Sequence, residues 1–216
     1  MLGLTTQSLI SAVVTLLIAF TFHEFAHAWS ARMFGDDTAE RAGRLTLNPL
    51  SHLDPYGSLM LILVGFGWAK PVPVNMLALR RHSKIAPLLV SLSGPLANLL
   101  LAALAAIPLR FNLFPFQTAS SNILPTPYMF LYYFLITNLG LMIFNLLPVP
   151  PLDGHEIVTF LLPADLASAW EQFGYRYGIL LLVALLMLGP MIGFDIKQLV
   201  LWPVIDFFSR LLLGVT

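Results

Sequence analysis

The pentapeptide His23-Glu24-Phe25-Ala26-His27 holds the densest chemistry in this chain. Four-residue spacing on a helix stacks the two imidazoles on one face, where both reach a single zinc ion. Glu24, beside the first imidazole, is placed to take a proton from a water that such an ion acidifies. The surroundings sharpen the reading, because the motif interrupts an otherwise apolar run from Leu9 to Ala31. Three ionisable groups in hydrocarbon need partners or a function, and a cation shared by the imidazoles answers that need. A polar patch inside a helix bundle is the blander alternative. A structural zinc is another, but such sites close with four protein ligands and rely on cysteine, which the chain lacks.

The elements that must position these groups follow from composition. Of 216 residues, 58% are hydrophobic and 10% charged, where a soluble domain has about a quarter charged. One soluble core cannot hide so much apolar surface. Eleven basic residues balance eleven acidic ones, which excludes a nucleic-acid binder. The expected fold is an all-α polytopic membrane protein with about five hydrophobic helices, in contact with the lipid bilayer. The spans read as Leu9 to Ala31, Ile85 to Ile107 and Pro127 to Leu147, then a marginal Ile179 to Phe194. A last stretch, Leu199 to Leu213, has Asp206 and Arg210 four apart, where they can pair along one face. Between the first two spans, Phe34 to Lys84 has no helix signal. Its apolar run, Leu59 to Trp68, reaches only about 15 Å as a helix, so a short re-entrant or β segment is expected there. That stretch holds seven of the eleven basic residues, which the positive-inside rule assigns to the cytoplasm. The chain reads as a single domain over 1–216, with a catalytic core at about 9–160 and C-terminal helices at about 175–214. The first apolar run lacks the basic flank of a signal peptide and is kept as a span.

Two histidines leave a catalytic zinc one ligand short. Asn145-Leu146-Leu147-Pro148-Val149-Pro150-Pro151-Leu152-Asp153-Gly154 closes the third span, and its prolines cannot continue a helix. Asp153 is therefore expected on irregular backbone, with Gly154 allowing a tight turn that aims the carboxylate inward. His23 and His27 lie about 21 and 27 Å along the first span from Leu9, near its cytoplasmic end. The first and third spans run parallel, so Asp153 arrives at that same end. One zinc ion per chain, held by His23, His27 and Asp153, is the expected cofactor. A side-chain amide could assist by stabilising the oxyanion, and Asn98 and Asn145 are the candidates. Both have plainer explanations: Ser91, Gly94 and Asn98 form a small-residue stripe suited to close helix packing, and Asn145 can cap the broken helix end. Pro71-Val72-Pro73-Val74, if extended, carries N–H groups on one edge only, which suits backbone pairing with a substrate strand. A proline-rich loop fits the same residues. For His52, a bond to a backbone carbonyl is expected.

The His-Glu-x-x-His helix together with the Asn145 to Gly154 string resembles the site-2 protease family of intramembrane zinc metalloproteases. Asn48-Pro49 with His52, Asp54-Pro55 and Gly57, then Gly67 to Asn75, are similar to its compact bacterial branch, which lacks a PDZ domain. Gly94-Pro95-Leu96-Ala97-Asn98 is similar to the family's G-x-x-x-N element, and this favours Asn98 over Asn145 for the oxyanion. The resemblance covers roughly residues 15 to 160. It implies a zinc-dependent intramembrane endopeptidase in a bacterial cytoplasmic membrane, with its site towards the cytoplasm. The implied partners are single-span membrane proteins, such as membrane-tethered anti-sigma factors, or remnant signal peptides. Two other functions compete: an intramembrane zinc transporter, and a relative that binds membrane segments without cutting. Transport predicts ionisable groups in the second and third spans, which have none, and the intact Glu24 argues against an inactive binder.

Overall fold

The computed structural model describes residues 5–57, 60, 67–114, 116 and 123–215. Helix α1 (Thr6–Met33) starts where the Thr5 side chain accepts from Ser8 N–H, 3.2 Å. It stops at Phe34, before Gly35 turns the chain at φ 82°. A short helix, α2 (Met76–His82), is capped by Asn75 and leads into α3 (Ala86–Arg110). Thr126 caps α4 (Pro127–Asn145), whose first residue is a proline, where no N–H is needed. The proline-rich string then gives way to α5 (Asp153–Leu161), α6 (Ala164–Met187) and α7 (Trp202–Leu213).

Among the described residues, three helices are long and apolar enough to cross a membrane: α1 with 28 residues, α3 with 25 and α4 with 19. Helix α3 sorts its residues in the way lipid demands. Leu96, Leu100, Leu104 and Ile107 are exposed along one face. Val90, Ser91, Gly94, Asn98, Ala102 and Ala105 are buried along the other. Lipid satisfies large apolar side chains, so the protein interior is left to small and polar residues that allow close approach. Helix α3 accordingly packs most extensively on α4 and α1. Ala102, Ala105 and Ala106 meet Phe134, Leu135, Leu139 and Ile205 in the main core.

Of the five hydrophobic helices expected, the marginal span and the last stretch are not matched as candidate spans. The stretch from Ile179 belongs to the second half of α6, whose first half carries Asp165 and Glu171. A π-helical turn, Lys197–Leu201, runs without a break into α7, and this helix is not among those long and apolar enough to cross. Its Asp206 and Arg210 do pair, at 2.9 Å. Among the described residues there is no strand. Most of the Leu59 to Trp68 run lies outside them. The flanks meet through one antiparallel bridge between Leu53 and Ala69, where Lys70 N–H donates to His52 O at 2.9 Å.

Candidate metal centre

Helical spacing brings the two imidazoles of α1 together as the sequence predicts, with His23 Nε2 and His27 Nε2 3.1 Å apart. Asp153 closes the group: its Oδ2 is 3.3 Å from His23 Nε2 and its Oδ1 is 3.3 Å from His27 Nε2. Both histidines are buried. Two donors held about 2.1 Å from one tetrahedral ion stand about 3.3 Å apart, so the spacing suits zinc.

Protonation makes the same point. His27 Nδ1 lies 2.7 Å from Val90 O, a carbonyl that can only accept, so the ring carries its proton there. His23 Nδ1 lies 2.7 Å from the Asn98 side-chain oxygen. With both protons on Nδ1, the two Nε2 atoms present lone pairs to each other and to a carboxylate. Three electron-rich groups in a buried space repel unless a cation sits among them. Asp153 Oδ2 is also buried without a hydrogen-bond donor. Burial works to raise the Asp153 pKa. His27 and His23, when they carry charge, hold it well below the ordinary carboxylate range.

Asp153 reaches this position differently from the sequence expectation. It is the first residue of α5, not part of an irregular loop, and the positive end of that helix suits its charge. Gly154 matters for space. A Cβ there would run into the carbonyls of Leu146 and Leu147 at the end of α4. Gly94 plays the same part on α3, since a Cβ would collide with His27 Nε2 and the His23 ring. The small-residue stripe on α3 is thus what lets its backbone approach the donors.

Asn98 also occupies an unexpected place. It is fully buried behind His23, with its oxygen turned to His23 and its NH2 group to Asn138 Oδ1 (3.1 Å) and Ala19 O (3.4 Å). No N–H is left to meet an oxyanion. Asn145 donates to Leu141 O, 3.0 Å, one turn back on its own helix. His52 is buried with Nε2 2.8 Å from Thr46 O, the carbonyl contact expected of it. His155 stacks on Trp170 of α6, with ring centroids 5.3 Å apart.

Glu24 Oε2 accepts from Val72 N–H at 2.8 Å, so the Pro71 to Val74 segment lies against the carboxylate. The N–H edge that the sequence left open for a substrate is therefore engaged with Glu24 at Val72. Two buried charges that sequence reasoning passed over hold this segment. Arg44 donates to the carbonyls of Lys70 and Pro71, and Asp36 accepts from Asn75 N–H at 2.6 Å and Thr38 N–H at 3.0 Å. Arg44 counted only as one basic residue of a cytoplasmic stretch. Nothing in its spacing marked it as buried.

Apolar helices that converge two imidazoles and a carboxylate, with a glutamate alongside, define a zinc metalloprotease built into a membrane. The sequence profile described as peptidase family M50 matches residues 112–188. YwhC of Bacillus subtilis, named as a candidate zinc metalloprotease, is 38% identical over 201 residues, which cover 90% of this chain and 85% of that one. Rip2 of Mycolicibacterium smegmatis, named in the same way, is 34% identical over 197 residues, covering 86% and 70%. Rip2 of Mycobacterium tuberculosis strain Erdman is 31% identical over 183 residues, covering 82% and 68%. No solved structure gives a significant match. The chain belongs to the site-2 protease family, peptidase family M50. It is a zinc metalloprotease and a multi-pass membrane protein.

Proposed function

We propose that this chain is a single catalytic domain that hydrolyses peptide bonds in or near the transmembrane segment of single-span membrane proteins. His23, His27 and Asp153 hold the zinc. The observation that carries the reading is the convergence of their donor atoms within 4.8 Å of one another, two of them on α1, a helix long and apolar enough to cross a membrane. When bound there, zinc supplies a water acidified to near neutrality and a Lewis acid for the scissile carbonyl.

The protein's own groups do the rest. Glu24 is the general base: Val72 N–H fixes one carboxylate oxygen and the other takes the proton, which passes later to the leaving amine. A transmembrane helix must unwind before its carbonyl can be attacked, and the freed backbone groups then need partners in hydrocarbon. The Pro71 to Val74 edge offers one at Val74, since Val72 N–H is taken by Glu24. A strand that pairs along this edge lies beside Glu24, which couples docking to placement of the base. Asn98 fits a positioning role behind His23 better than the oxyanion role, since both its N–H groups are taken. Asn145, nearer the mouth of the proline-rich turn, is left as the amide that can meet substrate. The density of basic residues from Arg32 to Lys84 supports a site facing the cytoplasm of a bacterial cell.

The test is cleavage of a panel of single-span membrane substrates by purified chain and by Glu24→Gln. The variant should bind zinc and leave every substrate intact. Cleavage at the wild-type rate would remove Glu24 from its role.

A further inference from the structure

Asn138 sits midway along α4, fully buried, and touches no group that reacts. Its Nδ2 lies 2.9 Å from Phe134 O, one turn back on the same helix. Its Oδ1 lies 3.1 Å from Asn98 Nδ2, and Asn98 Oδ1 lies 2.7 Å from His23 Nδ1. A carbonyl oxygen can only accept, so Phe134 O forces the NH2 of Asn138 towards itself and the oxygen of Asn138 towards Asn98. Asn98 must then offer its NH2 to Asn138 and its oxygen to His23. Ala19 O, another acceptor, holds the same NH2 in the same sense at 3.4 Å. His23 is left with one choice: its proton goes on Nδ1.

We infer that Asn138 is a positioning residue for the metal centre, which through Asn98 fixes His23 in the tautomer whose Nε2 is bare. The inference rests on the proposed reading of His23 as a zinc ligand. An amide has two orientations of nearly equal shape, and each matches one tautomer of the ring it faces. With Asn98 reversed, its NH2 would point at His23 Nδ1, the ring proton would move to Nε2, and that nitrogen could no longer take a metal. Asn138 removes the ambiguity by tying the chain to a backbone acceptor. Outer partners that orient a ligating histidine in this way tune the affinity of the metal they never touch. Here the orientation is set two bonds back.

The test uses the full chain in detergent and two readouts, zinc affinity by chelator competition and the 15N spectrum of histidine-labelled, metal-free protein. Wild type should show His23 protonated on Nδ1. Asn138→Leu should show a mixture of the two tautomers and bind zinc about 10-fold more weakly, the lower end for outer-shell partners. Asn138→Asp should restore both readouts. In so apolar a site its carboxyl stays protonated, donates to Phe134 O and accepts from Asn98. A wild-type tautomer and affinity in Asn138→Leu would overturn the inference. So would zinc loss in both variants with the tautomer unchanged, the pattern of a packing defect. If Asn138→Leu fails to fold, Asn138→Asp decides alone: a shifted tautomer there overturns the relay. His23→Ala is the reference, and wild-type zinc affinity in it would overturn the metal-centre reading and the relay with it.

Discussion

His23 and Glu24 are neighbours in the chain but are held by opposite parts of the molecule. His23 turns inward to a helical floor, where Asn98 of α3 fixes its ring and Asp153 of α5 meets its free nitrogen. Glu24 turns to a segment without regular structure, where Val72 N–H fixes its carboxylate. The floor is held by backbone-deep packing, with Gly94 and Gly154 placed where no side chain fits. The segment is held by a few side-chain bonds from Arg44 and Asp36. On the roles proposed for them, metal binding and proton transfer are separable, although the residues assigned to them adjoin.

That separation can be broken experimentally, and the largest effect comes first. Glu24→Gln is expected to lower peptidase activity by about 100- to 10,000-fold while zinc content stays at the wild-type level. Zinc loss in that variant would show that segment and floor cannot be uncoupled. Asp153→Ala acts on the floor and should weaken zinc binding by more than ~100-fold, beyond what outer partners alone contribute. Full zinc occupancy in it would exclude Asp153 as a ligand. Gly94→Ala pushes a methyl group into both imidazoles and should weaken zinc by about 10- to 100-fold, again read by chelator competition. Wild-type affinity would mean that the floor yields more easily than its packing implies. Arg44→Met is the sharpest probe of the segment. It should reduce kcat/KM by about 10-fold, or ~1.4 kcal/mol of transition-state stabilisation, and leave zinc affinity unchanged. A variant that loses zinc and activity in parallel would place Arg44 with the floor.

The same contrast explains what could be read from the sequence. The histidine pair needs only helical periodicity. Asp153 follows from the parallel course of two spans and a string of prolines that ends the second of them. Both are consequences of chain geometry over long stretches, and the structure brings the three groups together as expected. The segment was less legible because its order comes from side chain to backbone bonds, which leave no periodic trace. Arg44 and Asp36 look like ordinary surface charges until the fold buries them. Asn138 left a faint signal, an amide in the middle of a span free of charge, but its partner on α3 depends on helix rotation, which composition does not set. Asn98 was visible by spacing, but its two possible roles could not be told apart, because nothing in the sequence shows that its N–H groups meet Asn138 and Ala19. The hydrophobic stretches after residue 175 were less legible: apolar content gave one marginal span and one stretch open between spanning and lying in the interface. Neither is a candidate span, and each sits in a helix that also carries charge, Asp165 and Glu171 in α6, Asp206 and Arg210 in α7.

The central claim is that one zinc ion is gripped by two imidazoles from α1 and one carboxylate from α5. Zinc-edge X-ray absorption on the purified full chain tests it most directly. The expected spectrum shows one zinc per chain, nitrogen and oxygen donors at about 2.0–2.1 Å, and the scattering pattern of two imidazole rings, falling to one ring in His23→Ala. A first shell without imidazole, or one identical in wild type, His23→Ala and Asp153→Ala, would contradict it.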